Sequence, residues 1–288
     1  GWVHNAEDLF AKRGRASMNR IEQDATDQNT VLFDLSDRGL LLGDGVFDTS
    51  LVIDGQMVQR DLHVARLLRD AQAIGLDVSP DRLAQFIAEA LAPDANGAFR
   101  ITITRGPAPR GLELSVNVRP TLLSKLSPIN PDIQYAPRTL MTSTIRRNSS
   151  SPTARHKTLA YMDNILARRA AVETGFDDAL FLNETGNVCC ATSGNLFFAI
   201  GDKLVTPPVL DGVLPGTVRA WLLDKAAQIG MDLVEASLTL EEVKAADFVL
   251  MTNSLRLFSP VTKIDGATFP GQLPSAFKLA SRLMLESG

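Results

Sequence analysis

The feature of this sequence that most constrains its fold is the alternation of helical and strand-like hydrophobic periods along the chain. Residues 61–76 place apolar side chains on one helical face, whereas residues 99–105 and 112–118 alternate with a period of two around the loop sequence GPAPRG. Further strand-like runs follow at 178–183, 195–200 and 247–253. The pattern predicts a mixed fold in which helices cover sheets.

Local turn and capping signals sharpen this prediction in the N-terminal third. Ser79 stands before Pro80 and before apolar residues at helical spacing, so we predict a helix over 79–91 with Ser79 as its N-cap. The dipeptide Asp54-Gly55 lies within a strand-like stretch, and this pair favours the left-handed conformations of a two-residue hairpin turn. A hairpin followed by two helices and further strands is expected.

A change in pattern near the middle of the chain predicts the domain boundary. Residues 121–131 lack a clear period and end in prolines and other turn-forming residues, as interdomain linkers often do. We therefore expect a small N-terminal α/β domain over 1–125 and a larger C-terminal domain over 126–288. With 45% hydrophobic residues, a chain of 288 residues is long enough to bury two medium-sized cores.

Composition and charge exclude several classes of partner. The formal net charge is −4 and the pI is about 5.5, so no clustered basic face for nucleic acid is expected. The three histidines lie far apart, and no Cys or His spacing predicts a metal site. No segment approaches the length of a membrane span, and the start of the sequence lacks a signal pattern. The only cysteines, Cys189 and Cys190, indicate no disulfide framework, so a cytoplasmic protein that binds small molecules is expected.

One lysine stands in an unusual context. The stretch RRNSSSPTARHKTLAYMDNILARRAAVETG, residues 146–175, places Lys157 at the predicted start of a helix after a basic, serine-rich approach. A lysine that forms a Schiff base reacts as the free amine, and burial or neighbouring cations lower its pKa toward that state. Such cations are available at Arg146, Arg147, Arg155 and His156. A solvated lysine in a first helical turn is the simpler interpretation, and spacing alone does not overturn it.

Eight segments in a fixed order change that interpretation. They are DRGLLLGDGVFDT, HVAR, TRGPAPRG, RRN…SP…HKTLAYMDNILA, GFDDALFLNETGNV, TSGNLFF, LVTPP…GVLPGTVR and TNSLRLFSPV. In these segments the chain resembles the class IV aminotransferases, the fold-type IV pyridoxal-phosphate family, over nearly its whole length. The resemblance implies an α/β plus α+β fold with a small N-terminal α/β domain and a larger C-terminal pseudo-barrel domain. It also implies pyridoxal 5′-phosphate in the cleft between them, and a homodimer that completes each site.

The same resemblance implies a set of cofactor-binding residues. Lys157 becomes both the covalent anchor and the group that shuttles a proton. Arg66, from the HVAR segment, becomes the clamp of the coenzyme phosphate, because a planar guanidinium matches phosphate oxygens. The free N–H groups at the start of the helix that begins at Thr217 suit an anion. The remaining implied residues are Leu214 against the ring, Gly216, Thr217 and Val218 at the helix start, and Asn253 and Ser254 in a second phosphate loop.

One position departs from the family pattern. Members of the family carry a glutamate five residues before the asparagine of their sNvF motif, where it keeps the pyridine nitrogen protonated. Counting back from Asn195, this position is Cys190. A neutral thiol stabilises a pyridinium far less than a carboxylate does, so a weaker electron sink is expected. Glu184 and Asp178 are the acids available nearby in sequence, and a small buried apolar role for Cys190 is the alternative.

The expected substrate contacts are Arg110 and Phe47. Arg110 aligns with the arginine that D-amino-acid aminotransferases use to bind a carboxylate across the dimer interface, although its companion histidine is replaced by Leu112. Phe47 replaces a tyrosine and removes a hydroxyl that hydrogen-bonds the same carboxylate. Asp48 stands where the lyase branch has a threonine, which favours a transaminase. A hairpin-tip arginine in water is the alternative for Arg110.

The resemblance therefore implies an aminotransferase that moves an amino group between a D-amino acid and a 2-oxo acid through a Schiff base at Lys157. Three alternatives stay open at this stage. A 4-amino-4-deoxychorismate lyase would eliminate pyruvate, and an (R)-selective amine transaminase would suit a weakened carboxylate site. A cofactor-binding protein whose chemistry has decayed would explain Cys190, although it leaves Lys157 without a reason.

Overall fold

A computed structural model describes residues 33–114 and 119–286 of the chain. The helices of this part are α1 (Arg38–Leu42), α2 (Arg60–Ala73), α3 (Pro80–Ala90), α4 (Pro152–Arg155), α5 (Met162–Glu173), α6 (Thr217–Lys225), α7 (Leu240–Lys244) and α8 (Ser275–Glu286). Short 3-10 helices cover Pro131–Ile133, Val209–Asp211 and Ala226–Ile229. No helix within the described ranges combines the length and apolarity that crossing a bilayer requires.

The first sheet is antiparallel and has four strands in the order β2-β1-β3-β4. They are β1 (Gly45–Ile53), β2 (Gln56–Met57), β3 (Gly97–Thr104) and β4 (Thr121–Ser127). The predicted hairpin joins β1 to β2, where Asp54 and Gly55 both have positive φ angles, 46° and 73°. Helices α2 and α3 cover one face of this sheet, and the core between them includes Leu67, Leu83 and Phe99. The opposite face remains available to the rest of the protein.

The predicted helix cap at Ser79 is confirmed, because its hydroxyl accepts a hydrogen bond from the Arg82 backbone N–H at 3.2 Å. Helix α3 buries Leu83 and Ile87, two of the apolar residues at the predicted spacing. The bond satisfies one of the N–H groups that a helix start leaves unpaired. Capping and periodicity therefore acted together to make this element predictable.

The prediction that residues 121–131 form an interdomain linker is partly wrong. Its first seven residues form β4, which pairs with β3 from Thr121 opposite Thr104 to Ser127 opposite Ala98. The boundary expected after residue 125 consequently falls inside a strand. Of the strand expected at 112–118, residues 112–114 are not in a strand, and 115–118 lie outside the described residues. The division into two domains stays a prediction.

The second sheet is mixed and curls into a half-barrel, with path order β10-β9-β8-β11-β12-β5-β6-β7 and β13 paired to β12. Its strands are β5 (Arg138–Thr142), β6 (Asp178–Leu182), β7 (Val188–Ala191), β8 (Asn195–Ile200), β9 (Lys203–Thr206), β10 (Leu233–Glu235), β11 (Phe248–Asn253), β12 (Leu257–Ile264) and β13 (Ala267–Thr268). One apolar cluster includes Leu180, Phe198 and Val249. Another packs Trp221 of α6 and Phe277 of α8 against Phe258. The predicted mixed fold with a curled second sheet is confirmed.

The helix expected to start at Lys157 begins five residues later, at Met162. Lys157 instead lies in an extended segment between α4 and α5. There the Phe47 N–H donates to the Lys157 carbonyl at 2.9 Å, and Thr158 forms a bridge with Val46. The lysine is therefore positioned by β1 of the first sheet rather than by a helix of its own.

Candidate active site

A cavity of about 330 Å³ is lined by residues of the free face of the first sheet and by residues of the second sheet. Its volume is within the range of small-molecule sites. Ten of the predicted residues line it: Phe47, Arg66, Lys157, Cys190, Leu214, Gly216, Thr217, Val218, Asn253 and Ser254. Arg110 does not line the cavity and is exposed in the loop that follows β3. The expectation that Arg110 acts across a dimer interface stays a prediction.

The Lys157 amine lies against aromatic side chains. Its Nζ atom donates a hydrogen bond to the Tyr161 hydroxyl at 3.0 Å and lies 4.4 Å from the centroid of the Phe47 ring. The rings of Phe47 and Tyr161 meet edge to face with centroids 5.0 Å apart. Among the residues that the structure describes, the amine has one polar partner and otherwise contacts aromatic rings, which favour a cation but do not fix it as tightly as a carboxylate would.

A second cation shares the Phe47 ring. The Arg100 guanidinium carbon lies 3.7 Å from the ring centroid, and the residue lines the cavity. In the register of β1 with β3, Arg100 is opposite Thr49, which also lines the cavity, so both project from the free face of the sheet. Burial lowers the pKa of the half-buried Arg100 guanidinium. Within the described ranges it makes no salt bridge and donates to Thr102 Oγ1 at 3.1 Å.

Of the four cations expected near Lys157, Arg147 and His156 bind other partners, and Arg155 is partly buried outside the cavity lining. Arg147 lines the cavity but donates to the Gly212 and Ala154 carbonyls at 2.9 and 3.0 Å. His156 Nδ1 is 2.9 Å from the Asp70 carboxylate. Arg146 is exposed. Arg100, more than fifty residues away in sequence, is the cation that shares an aromatic ring with the lysine.

Arg66 also lines the cavity and is held by a buried acid. Arg66 and the start of α6 are called the Arg66 end of the cavity, and Lys157 with Arg100 the Lys157 end. The Arg66 Nε and Nη2 atoms donate to Asp48 Oδ2 at 2.9 and 2.7 Å, and His63 Nδ1 is 2.5 Å from Asp48 Oδ1. Burial alone would raise the pKa of Asp48, but the charges of Arg66 and His63 hold it well below its usual range. The guanidinium is thereby oriented while it still lines the cavity.

The start of helix α6 adds backbone donors to the same end. Gly216 is the N-cap residue and makes no side-chain cap, so the first N–H groups of α6 have no intrahelical partner. A Cβ atom at residue 216 would collide with Asn195 Oδ1, and the Asn195 amide donates to the Leu214 carbonyl at 2.8 Å. Gly216 is thus needed for the close approach of Asn195. Together with Arg66, this helix start forms a cradle for an anion.

Asn253 and Ser254 line the cavity, but their side chains bind the protein itself. Asn253 Oδ1 accepts from the backbone N–H groups of Leu255 and Arg256 at 3.0 and 2.8 Å. The Ser254 hydroxyl donates to the Thr49 carbonyl at 2.7 Å and so joins the second sheet to the first. The loop is therefore ordered by these side chains, which leaves its backbone as the route to a phosphate. Its role in binding phosphate stays a prediction.

Cys190 lies in β7 and lines the cavity with 4% of its surface exposed. Burial raises the pKa of its thiol, an effect that the charge of Arg147 opposes and that of Asp178 strengthens. Neither candidate acid replaces a glutamate here. Glu184 accepts from Ser149 at the surface, and Asp178 accepts from Thr192, Ser193 and the Ala179 N–H. The lining at Cys190 is therefore a neutral thiol, and the Arg147 guanidinium lines the same cavity.

Sequence reasoning missed Arg100 and Tyr161 as site residues, and it noted Asp48 only as a mark of one branch. The alternation FRITIT already places Arg100 on the face of its strand opposite Phe99 and Ile101, which are buried. What the sequence lacked was the register that brings this face to Lys157. Tyr161 is four residues after Lys157, and its contact depends on the extended segment that replaces the expected helix turn.

The residues of the cavity fit pyridoxal 5′-phosphate. An amine at one end and an arginine with free backbone N–H groups at the other match the aldehyde and the phosphate of this coenzyme. The buried Thr252 hydroxyl lines the cavity and has no hydrogen-bond partner in the described part of the chain, as expected of a site built around a ligand. Fold and site together define a pyridoxal-phosphate-dependent enzyme.

Comparison with known proteins agrees with this class. The family model described as amino-transferase class IV matches residues 45–264, so the chain belongs to the class IV aminotransferases, which depend on pyridoxal 5′-phosphate. The chain is 29% identical over 253 residues to an aminodeoxychorismate lyase from Bacillus subtilis, covering 84% of this chain and 86% of the relative. It is 28% identical over 250 residues to a D-alanine aminotransferase from Bacillus licheniformis, with the same coverage, 84% and 86%.

Solved structures give the same assignment. A branched-chain aminotransferase from Thermoproteus uzoniensis superposes with a TM-score of 0.80 at 25% identity, covering 90% of this chain and 92% of that one. The family resemblance and the enzyme class expected from the sequence are confirmed. The three relatives act, by their names, in three different branches, so the family is fixed while the substrate is not.

Proposed function

We propose that this protein is an aminotransferase that moves an amino group between a D-amino acid and a 2-oxo acid, with Lys157 as the reactive amine. Bound pyridoxal 5′-phosphate supplies an aldehyde for amines to attack and a ring that accepts electrons. The chain supplies everything else. Arg66 and the start of α6 hold the phosphate, and Lys157 moves a proton at the substrate α-carbon.

The observation that supports an amino acid as the substrate is Arg100, and the D-configuration follows from the similarity to the D-alanine aminotransferase. A half-buried guanidinium with no acid beside it is costly unless a ligand supplies the anion. The Arg100 guanidinium carbon and Lys157 Nζ lie 3.7 and 4.4 Å from the centroid of the Phe47 ring. The two cationic groups are therefore at most about 8 Å apart. A carboxylate near Arg100 would leave the amine of the same amino acid close to Lys157. A simple amine would leave Arg100 unpaired, so the amine transaminase alternative is disfavoured.

Tyr161 and Phe47 would then act on Lys157 rather than on the substrate carboxylate. The Tyr161 hydroxyl is within hydrogen-bond reach of Nζ, so it can hold or exchange a proton there as the amine changes its bonding. The Phe47 ring separates Arg100 from bulk water on one face and tolerates both cations. The tyrosine that D-amino-acid enzymes use at residue 47 is replaced by this stacking surface.

The test is a panel of amino donors added to holoenzyme whose absorbance reports the coenzyme. D-Alanine and D-glutamate should shift the band and yield 2-oxo acids, whereas the L-enantiomers and (R)-1-phenylethylamine should be at least tenfold slower. Faster reaction with the simple amine, or equal reaction with both enantiomers, would contradict the proposal. Borohydride reduction followed by peptide mass spectrometry should place the coenzyme on Lys157.

An aminodeoxychorismate lyase is the second candidate, because the Bacillus subtilis lyase is as similar to this chain as the aminotransferases are. Its substrate also carries carboxylates, so Arg100 is compatible with it. Incubation with aminodeoxychorismate separates the two functions. Release of pyruvate without consumption of a 2-oxo acid would favour the lyase, and a requirement for both an amino donor and a 2-oxo acid favours transamination.

The proposed assembly is a homodimer. Helix α1 exposes Leu40, Leu41 and Leu42, and α5 exposes Met162 and Ile165, each more than 45% accessible in the single chain. Clusters of exposed apolar residues are typical of a subunit interface. Light scattering of the purified protein should give twice the 31.2 kDa mass of the chain. A monomer with full activity would argue against a site shared between subunits.

A further inference from the structure

The segment that carries Lys157 is bound by a buried carboxylate that the proposed mechanism leaves unused. Asp70 lies in α2 and is 1% exposed. Its Oδ2 atom accepts a hydrogen bond from the backbone N–H of Lys157 at 2.9 Å, and its Oδ1 atom is 2.9 Å from His156 Nδ1. Arg69 donates to the same Oδ1 atom at 2.8 Å. One carboxylate thus contacts the reactive residue and the residue before it.

The Lys157 peptide is consequently fixed from two directions. Its N–H donates to Asp70 of α2, and its carbonyl accepts from the Phe47 N–H of β1 at 2.9 Å. Leu159 continues the attachment by donating to the Gly45 carbonyl at 3.0 Å. Both anchors belong to the first sheet and its covering helix, although Lys157 follows that region by some thirty residues. The backbone is held on both sides, and the side chain extends from it into the cavity toward Tyr161.

A charged anchor in this position has a physical reason. A carboxylate accepts stronger hydrogen bonds from N–H groups than a neutral acceptor does, and it does so without a competing donor. The Asp70 side chain is 1% exposed, whereas His156 is 23% exposed and Arg69 is 47% exposed. Contacts with these two side chains offset the cost of burying the Asp70 charge. The strong hydrogen bond from this carboxylate is therefore made to the Lys157 peptide, whose position determines where the amine lies.

We propose that Asp70 is a positioning residue for Lys157, which sets the reach of the amine by fixing its peptide against β1. The inference rests on the proposed role of Lys157 in covalent attachment of the coenzyme. A small misplacement of a reacting group slows the step by a large factor, because the aligned geometry is lost. Asp70 should therefore affect the lysine end of the cavity and leave the phosphate end unchanged.

The test compares Asp70→Asn and Asp70→Ala with the matched variant Asp37→Asn. Asp37 is also 1% exposed, and its carboxylate accepts from Thr104, Thr121 and the Gly39 N–H, all in the first-sheet region, without touching residues 156–158. Two quantities are measured on folded protein prepared without coenzyme. One is the rate at which pyridoxal 5′-phosphate attaches to Lys157, followed by absorbance and fixed with borohydride. The other is the dissociation constant of pyridoxamine 5′-phosphate, which forms no bond to lysine.

Asparagine keeps an acceptor for the Lys157 N–H but loses the charge, so attachment should slow about tenfold, and alanine should slow it about a hundredfold. The dissociation constant of pyridoxamine 5′-phosphate should stay within about twofold in both variants, and Asp37→Asn should attach coenzyme at the wild-type rate despite its lower stability. Attachment by Asp70→Ala at the wild-type rate, or an equal loss in Asp37→Asn, would overturn the proposal. Wild-type protein that attaches no coenzyme would instead overturn the proposed function.

Discussion

At the Arg66 end of the cavity the cation is paired with a buried acid, whereas at the Lys157 end the cations lie against aromatic rings. Asp48 binds both Arg66 and His63, so the guanidinium is fixed before any ligand arrives. At the opposite end, Lys157 and Arg100 share the ring of Phe47, and within the described ranges neither side chain is paired with a carboxylate.

The difference corresponds to two kinds of task. A permanent cofactor phosphate requires a preorganised cation whose geometry never changes, and a buried salt bridge provides this orientation at the expense of some free charge. A substrate that enters and leaves requires cations that are available on each cycle. Ring faces stabilise such cations without competing for the incoming carboxylate. The Arg66 end therefore binds the cofactor and the Lys157 end reacts, and the first three predictions below each alter one end.

Removing the reactive amine should have the largest effect. Lys157→Ala should reduce turnover about ten-thousandfold, because both covalent attachment and proton transfer are lost. Affinity for pyridoxamine 5′-phosphate should change little, since the phosphate end is untouched. Steady-state rates and equilibrium dialysis measure the two quantities. Lys125→Ala, which removes an exposed lysine of β4, is the matched control. Comparable loss of phosphate affinity would show that the two ends are not independent.

Removing the buried acid should act on stability and on the phosphate end. Asp48→Asn leaves Arg66 and His63 without their counter-charge and should lower the free energy of unfolding by about 3 kcal/mol, measured by urea denaturation. The folded pKa of Asp48 lies below its unfolded value, so its contribution is complete above the ordinary carboxyl range. It is lost as the pH falls below about 4 through the lower folded pKa, and wild type and variant should converge there.

Two controls make this second result specific. Asp44→Asn removes another acid of the same region, one that pairs with Arg38 and Arg105 outside the cavity. It should destabilise the protein without weakening pyridoxamine 5′-phosphate binding. If Asp48→Asn also left that binding unchanged, the buried acid would be a stability element and the comparison between the two ends would fail.

Removing the unpaired cation should affect the substrate alone. Arg100→Leu should lower kcat/KM for a D-amino acid about thirtyfold, equivalent to roughly 2 kcal/mol for a charged hydrogen bond, and should leave reaction with a simple amine unchanged or faster. Arg82→Leu is the matched control, since Arg82 donates to the Pro120 carbonyl away from the cavity. Equal losses for both donor classes would assign Arg100 to the support of Phe47 rather than to carboxylate binding.

The fold was predictable where local signals sufficed. Helix α3, its Ser79 cap and the Asp54-Gly55 turn depend on residues within a few positions of one another. Strand β4 was missed because its leucines at 122, 123 and 126 do not alternate. An edge strand that pairs with β3 alone and stays partly exposed needs no strict period. The segment has the composition of a loop, but it forms a strand because it pairs with β3.

The site was predictable where the family motifs reach and not where long-range register decides. Lys157, Arg66 and Gly216 were predicted from motifs; all three line one cavity, and their roles stay predictions. Arg100 enters only through the pairing of β1 with β3, and the extended conformation of Lys157 depends on β1, more than a hundred residues earlier. The sequence around Lys157 does not contain these distant partners. The predicted helix start at Lys157 was therefore too early.

The smallest expected effect concerns the wall between the two ends. Cys190→Glu would place a carboxylate beside Arg147, where the buried thiol is now neutral, and would strengthen the electron sink of the ring. The rate of the first half-reaction should rise about tenfold, equivalent to roughly 1.4 kcal/mol, and the coenzyme absorbance should shift. Cys189→Ser, at a buried cysteine outside the cavity lining, should change neither. Unchanged rate and spectrum in Cys190→Glu would mean that this wall does not face the ring nitrogen, and the contrast between the cavity ends would then rest on cations alone.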